Sequence, residues 1–254
     1  MDIITSGCSF THAPDSWANY LKTKHKVTNV AEGGAGNSMN IRNAMLEIHK
    51  NNFTHCVIQI SGVNRFELIV DEPIQTENTF LVPNKNYTWI KSTGDQNWWQ
   101  QNNHNFDQFR QAKIVGNSLE NYVKHCYSDY DQILKTLTAI VNCQTLCKSK
   151  NVKQLYFCWK NEFKQYLDKI NSSSELLEWW NQIDFDLFWF YNTYDGLCEW
   201  GIDNGYTGAL HEDHVNNPAQ GWLMIDNKKT MIGHPSTECH RAFAEEVIKK
   251  WLKK

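Results

Sequence analysis

Four short apolar runs recur along the chain, and each is rich in β-branched or aromatic residues that favour strands. They cover residues 2–6, 26–30, 56–60 and 152–159. The third run is almost entirely apolar, as expected for a parallel strand buried on both faces. Segments with apolar residues at helical spacing lie between the first three runs. This alternation of strands and helices predicts an α/β fold with a central parallel sheet.

Two longer stretches interrupt the alternation and predict insertions into one domain. Residues 66–116 are rich in Asn, Gln and aromatic side chains, and an unstructured loop of this length is uncommon in a compact domain. Within it, Trp98 and Trp99 could line a substrate cleft or pack a lid. Residues 160–225 form the second insertion. Since no repeat or linker composition divides the chain, we expect a single domain over residues 1–254.

The remaining segments predict helices. Asn117 and Glu120 match a capping box, which predicts the start of the strongest helix in the chain. Residues 160–206 are predicted to be helical, and their dense aromatic side chains are more typical of a core than of a ligand platform. The carboxyl-terminal residues predict a final amphipathic helix. Its inward side chains are Ala242, Phe243, Val247, Ile248, Trp251 and Leu252.

Small and polar residues stand where the predicted strands end. Ser9 follows the first strand, a glycine-rich turn over residues 33–36 follows the second, and Asn64 follows the third. The carboxyl ends of parallel strands share one edge of the sheet, where α/β proteins bind their ligands. A serine at this edge can act as a nucleophile if a base lies beside it, or it can cap the following helix. His234, which Pro235 holds just before the final helix, is the candidate base.

Taken together, these four positions resemble the motif blocks of the SGNH (GDSL-type) hydrolase superfamily. In that superfamily a serine follows the first strand, a glycine the second and an asparagine the third, and a histidine comes late in the chain. The resemblance covers roughly residues 1–65 and the last 25 residues. It implies a flavodoxin-like three-layer sandwich and a serine esterase that acts on small acyl esters, O-acetyl groups of carbohydrate among them.

The resemblance also implies a role for each position. Ser9 would attack the acyl carbonyl, and His234 would shuttle the proton. The oxyanion would be held by the Ser9 amide, the Gly34 amide and the Asn64 side chain. Gly36 is the alternative donor, since the turn is longer than needed. The start of the helix after Ser9 would add a favourable dipole.

The chain departs from the superfamily pattern in three places. Arg65 follows Asn64 where an aspartate is common. Cys8 stands where an aspartate usually precedes the serine. Met231 occupies the position three residues before His234, where the acid of the triad usually lies, and methionine cannot orient an imidazole. Asp226 is the favoured replacement, Asp213 is the second candidate, and a backbone carbonyl or a water is the third. A Ser-His dyad that lacks any acid also stays open.

Three other readings compete with a serine nucleophile. Cys8 could attack in place of Ser9. The glycines at 34 and 36 follow a strand, as in a dinucleotide fingerprint, but the third glycine of that pattern is missing. Residues 211–214, His-Glu-Asp-His, could ligate a metal, although a solvated polar turn explains them more simply.

A different class of function also fits the sequence. A protein that keeps the fold without an effective triad could act as a glycan-binding or structural module. Turnover of a small chromogenic ester, lost in a Ser9→Ala variant, would separate an esterase from such a module.

Composition and charge argue against some classes of partner. The net charge is −3 and the pI is near 6.4, so nothing suggests a nucleic-acid partner. No run approaches the roughly 18 apolar residues of a membrane helix, and we expect neither a membrane partner nor a signal peptide. The eight cysteines are scattered, which favours a reducing cytoplasm, and the close pair Cys143 and Cys147 is typical of core packing. We expect no cofactor and a small-molecule or carbohydrate ester as substrate; the oligomeric state stays open.

Overall fold

The computed structural model describes residues 1–70, 81–83, 88–91, 122, 125–206, 222–225, 228–231 and 235–253. Its strands are β1 (Asp2–Ser6), β2 (Lys26–Asn29), β3 (His55–Ile60), β4 (Glu67–Val70), β5 (Leu81–Pro83), β6 (Thr88–Lys91), β7 (Lys153–Cys158), β8 (Phe188–Trp189), β9 (Trp222–Ile225) and β10 (Lys228–Met231). Its α-helices are α1 (Ser9–His12), α2 (Trp17–Leu21), α3 (Asn37–Lys50), α4 (Asp129–Ser149), α5 (Leu167–Asn171), α6 (Ser174–Asn181), α7 (Leu197–Asp203), α8 (Thr237–Phe243) and α9 (Lys249–Trp251). A π-helical turn, Ala244–Ile248, joins the last two helices.

The central sheet has five strands in the order β2-β1-β3-β7-β8, and every pair in it is parallel. Counted by their order along the chain, these strands stand 2-1-3-4-5, which is the flavodoxin-like order. The four strands that the apolar runs predict are all present. The α/β, flavodoxin-like prediction is therefore confirmed.

Helices cover both faces of the sheet, because successive strand residues point to opposite sides. On one face, α3 and α4 pack over strand residues such as Ile58 and Tyr156. On the other face, α2, α7 and α8 pack over neighbours such as Val57 and Phe157. All four strand side chains are fully buried. The result is a three-layer sandwich with an apolar core on each side of the sheet.

One local prediction is wrong. Residues 160–206 are not wholly helical, because Phe188 and Trp189 form the edge strand β8; their aromatic side chains suit a strand as well as a helix. Gly36 is the N-cap residue of α3, and no side chain caps this helix. The start of α4 at Asp129 lies well beyond the capping-box residues, which fall outside the described ranges.

Many aromatic residues of the 160–206 segment are half-buried and pack on one another against the core. Phe185 contacts Trp180 at 4.6 Å between ring centroids, and Phe188 stacks on Phe190 at 5.3 Å. Tyr156 of β7 stacks on Phe188 at 5.1 Å and joins this group to the sheet.

Short antiparallel elements stand apart from the central sheet. Strands β4, β6 and β5 form a three-stranded sheet within the first predicted insertion. Strand β9 pairs with β10 shortly before α8. The tryptophan pair at 98–99 and the polar cluster at 211–214 lie outside the described residues.

All eight cysteines are free thiols, and seven of them are buried. Across the described residues, no helix combines the length and the apolar character that crossing a membrane would need.

Candidate active site

Ser9 lies beyond the carboxyl end of β1, as the first residue of α1. Cys8 precedes it in the N-cap position, and no side chain caps this helix. Ser9 is therefore not the helix cap. Because α1 is a single turn, its dipole is small, and any oxyanion at Ser9 would depend mainly on individual N–H donors.

The turn from β1 into α1 needs a glycine. A Cβ atom at Gly7 would lie 2.8 Å from Gln59 Oε1 and closer still to Thr11 Oγ1. These two side chains meet beneath the turn, where Thr11 Oγ1 donates to Gln59 Oε1 at 2.8 Å. The Cys8 thiol contacts the same glutamine and is fully buried, which argues against Cys8 as the nucleophile.

The loop after β2 makes a tight turn beside Ser9. Ala35 N–H donates to Glu32 C=O at 3.2 Å, and Gly34 takes the third position of the turn with φ of +75°, a conformation that favours glycine. Gly33, in the second position, borders the serine: a Cβ atom on Gly33 would lie 4.0 Å from Ser9 Cβ. The sequence predicts Gly34 as the residue beside the serine and does not distinguish it from Gly33, because adjacent glycines give the same local signal.

Gly36 faces the loop after β3. A Cβ atom there would lie 3.0 Å from the carbonyl oxygen of Arg65 and 2.7 Å from Glu67 Oε1. The missing side chain of Gly36 therefore lets two loops pack closely.

Asn64 lies in a turn after β3 in which Arg65 N–H donates to Gly62 C=O at 3.2 Å. The Asn64 carbonyl accepts a hydrogen bond from the Tyr127 hydroxyl at 3.1 Å, which fixes the backbone. Its side chain is half-buried and makes no hydrogen bond to any residue in the described part of the chain. The side-chain amide thus has donor capacity to offer a ligand.

A buried carboxylate that no sequence motif indicates supports this turn. Glu162, just after β7, is only 2% exposed, and its Oε2 accepts from Val63 N–H at 3.1 Å. Its Oε1 accepts from Trp159 Nε1 at 2.6 Å and lies 3.7 Å from Lys160 Nζ. The Trp159 ring packs edge-on against Phe10, at 5.0 Å between centroids. Glu162 therefore ties the loops after β1, β3 and β7 together.

Two buried asparagines brace the loop after β2. Asn37 Oδ1 accepts from Ser61 N–H at 2.7 Å, and its Nδ2 donates to Ser61 C=O at 3.1 Å. Asn40 Oδ1 accepts from Glu32 N–H, and its Nδ2 donates to Ala35 C=O, each at 3.2 Å. These two side chains form hydrogen bonds with backbone N–H and C=O groups of the loops. Asn37 also joins the loop after β2 to the loop after β3.

The predicted base and acid are not among the described residues: His234, Asp226 and the alternative acid Asp213 all lie outside them. The chain is described again from Pro235, and the Ser236 side chain caps α8.

The start of α8 lies beside the Ser9 loop. Thr237 Oγ1 donates to Asp15 Oδ2 at 2.7 Å, just beyond α1. One turn later, the His240 ring packs edge-on against Phe10, at 6.3 Å between centroids. The residues that directly follow His234 therefore contact the segment that directly follows Ser9.

Glu67, at the start of β4, is a carboxylate held against the amino end of α3. Its Oε1 accepts from Met39 N–H at 3.2 Å. Burial raises the pKa of Glu67 to about 7. The hydrogen bonds from the amides of Met39 and Gly36 lower this pKa, but their effect is smaller than that of burial. Glu67 thus links the first insertion to the glycine loop through a group that titrates near neutral pH.

One group of possible metal ligands converges among the described residues. The Sγ atoms of Cys56, Cys143 and Cys147 lie within 4.8 Å of one another. All three belong to the apolar core between β3 and α4, and no described histidine or carboxylate joins them. We interpret the group as core packing, because buried thiols fill space as small apolar side chains do.

A cavity in the described part of the structure lies away from Ser9. It has a volume of about 620 Å³ and surrounds the amino end of β7, near Gln144, Gln154 and Trp251. Parallel α/β sheets bind ligands at the opposite, carboxyl edge. The cavity contains none of the sequence-predicted site residues.

The comparison with solved structures gives a distant likeness. No family model matches the sequence, and no curated protein matches it. A solved structure of the psychrotrophic esterase EstA from Pseudoalteromonas sp., inhibited by monoethylphosphonate, aligns over 100% of this chain and 99% of its own. The identity is 12% and the TM-score is 0.45, too low to assign a reaction or a residue role to this chain.

We predict that Asn37→Ala will lower the free energy of unfolding by about 1–3 kcal/mol, because it leaves the buried N–H and C=O of Ser61 without partners. Urea denaturation would measure the loss. Asn52→Ala, at an exposed position, is the matched control and should stay within about 0.5 kcal/mol of wild type. Equal losses in the two variants would show that Asn37 does not brace the loops.

Glu67 should make stability depend on pH. Its pKa is higher in the folded protein than in the unfolded chain, so the folded state favours the protonated carboxyl and stability falls as pH rises from about 4.5 to about 7. Since the side chain keeps some contact with solvent, we expect a fall of about 2 kcal/mol across that window.

Denaturation at several pH values would measure this slope. Glu67→Gln should flatten it, whereas Glu178→Gln, an exposed change on α6, should leave it as in wild type. An unchanged slope in Glu67→Gln would assign the pH dependence to other groups.

Proposed function

We propose that this protein is a serine esterase, a divergent member of the SGNH (GDSL-type) superfamily, which hydrolyses small acyl esters through an acyl-enzyme on Ser9. O-acetyl groups on carbohydrate are among the substrates that this chemistry suits. One observation carries the proposal: the loops that bear Ser9, the glycine turn and Asn64 leave three adjacent parallel strands at the same edge of the sheet.

The reaction has two halves. Ser9 Oγ attacks the acyl carbonyl while the imidazole of His234 takes its proton, and the imidazolium then protonates the departing alcohol. Water attacks the acyl-enzyme in the second half, again losing its proton to His234, and the acid leaves as Ser9 is restored. No redox group or cofactor takes part in either half.

Each tetrahedral intermediate carries an oxyanion that needs donors already in place. We assign these to the amides of Ser9 and Gly34 and to the side chain of Asn64. The fixed turn at Gly34 and the unused amide of Asn64 support the assignment.

His234 is assigned as the base because the chain just beyond it contacts the Ser9 region. Asp226 is assigned as the carboxylate that holds the second nitrogen of the imidazole, since Met231 cannot do so.

The first test is hydrolysis of p-nitrophenyl acetate and butyrate. Wild type should turn over at least one of these esters, and Ser9→Ala should lower kcat by about 10³ or more without lowering the melting temperature. Ser174→Ala, an exposed serine on α6, is the matched control and should retain full turnover. Activity that survives in Ser9→Ala would exclude Ser9 as nucleophile, and an inactive wild type that binds glycans would favour the binding module instead.

The second test addresses the oxyanion. Asn64→Ala should lower kcat by about 10²–10³, the usual cost of losing one such donor, with little change in stability. Asn64→Asp should be slower still, because a carboxylate repels the developing negative charge. Near wild-type turnover together with a lowered melting temperature would instead show that Asn64 is only a turn residue.

A further inference from the structure

A second histidine lies close to the proposed nucleophile. His12 is the last residue of α1, three positions after Ser9, so the two side chains share a face of that turn. Both border the same glycine: a Cβ atom at Gly33 would lie 4.0 Å from Ser9 Cβ and 3.9 Å from His12 Cδ2. Cδ2 is bonded to Nε2, so this edge of the ring faces the mouth of the site. The His12 side chain is exposed.

The other edge of the ring is fixed. His12 Nδ1 lies 2.8 Å from the carbonyl oxygen of Ala31. A carbonyl oxygen can only accept, so Nδ1 carries the proton, and in the neutral ring Nε2 is then a bare acceptor. Asn29 anchors this arrangement, because its Oδ1 accepts from Ala31 N–H at 3.1 Å and its Nδ2 donates to Thr11 C=O at 2.7 Å.

Nε2 makes no hydrogen bond to any residue that the structure describes. A fixed acceptor at the rim of an ester site is complementary to a hydroxyl group on the substrate. A polyol or sugar that carries one acyl group offers such hydroxyls next to its ester, whereas an aryl ester or a fully etherified alcohol offers none.

We propose that His12 Nε2 is a subsite that accepts a hydrogen bond from a free hydroxyl of the substrate, and so selects esters of polyols or sugars. The inference rests on the proposed esterase function and names the substrate class of that same site. His12 binds the alcohol portion and takes no proton from Ser9.

Three substrates distinguish hydroxyl binding by His12 from ester hydrolysis at Ser9. They are glycerol monoacetate, the same ester with both hydroxyls methylated, and p-nitrophenyl acetate. His12→Asn is the informative variant. The asparagine side-chain N–H can donate to the Ala31 carbonyl in place of Nδ1–H, while the acceptor at Nε2 is lost. This variant should raise KM for glycerol monoacetate up to about tenfold, the effect of one neutral hydrogen bond, and leave the other two substrates unchanged. His12→Gln, whose amide reaches the Nε2 position, should restore part of the preference.

Two kinetic outcomes would overturn the proposal. Equal losses on all three substrates would mean that His12 serves catalysis or folding, and unchanged KM values in His12→Asn would mean that it binds no hydroxyl.

A binding experiment tests the subsite without relying on turnover. In Ser9→Ala, which should not hydrolyse the ester, titration with glycerol monoacetate should shift the His12 Nε2 resonance in ¹⁵N NMR, and the methylated ester should not. A wild type that is inactive on every ester but shows this shift would contradict the esterase proposal alone. Absence of the shift would contradict the subsite, whatever the activity.

Discussion

Strand β1 pairs in parallel with β2 on one side and with β3 on the other, and this double pairing is the constraint on which the site depends. It forces the chain to leave all three strands at the same edge of the sheet. The loops that bear Ser9, the glycine turn and Asn64 are neighbours for this reason. Glu32 N–H donates to Gly7 C=O at 3.1 Å, which joins the first two of these loops directly. A shift of one residue in either pairing would turn the buried side chains of β1 to the wrong face.

Loops brought together in this way have backbone N–H and C=O groups outside regular secondary structure. Buried side chains provide hydrogen-bond partners for some of these groups. Asn37 and Asn40 brace the loop after β2, and Glu162 holds the loop after β3. Asn37 and Glu162 are almost fully buried, and removing either would leave the backbone N–H of Ser61 or of Val63 unsatisfied in the interior. Such braces hold the donors and the nucleophile in position before substrate arrives, which is what transition-state stabilisation requires.

The strands and the order of Ser9, the glycine turn and Asn64 could be predicted from the sequence, because apolar runs and the residues that end them are local signals. The braces could not, since Glu162 meets Val63 only after the sheet has formed, across 99 positions of sequence. Strand β8 was missed because two aromatic residues fit a helical pattern equally well. Gly33 and Gly34 could not be distinguished, because only the folded turn decides which of them borders the serine. His12 gave no signal, as its role depends on the carbonyl of Ala31 in another loop.

The proposed esterase mechanism requires Ser9 to be an activated nucleophile. The most direct test is to treat the native protein with a fluorophosphonate and locate the adduct by mass spectrometry of its peptides. If Ser9 is activated, one adduct should form rapidly on Ser9 of the native protein and should not form when the protein is denatured before treatment. An adduct on a different residue, or no adduct on a preparation that still hydrolyses esters, would contradict the proposed mechanism.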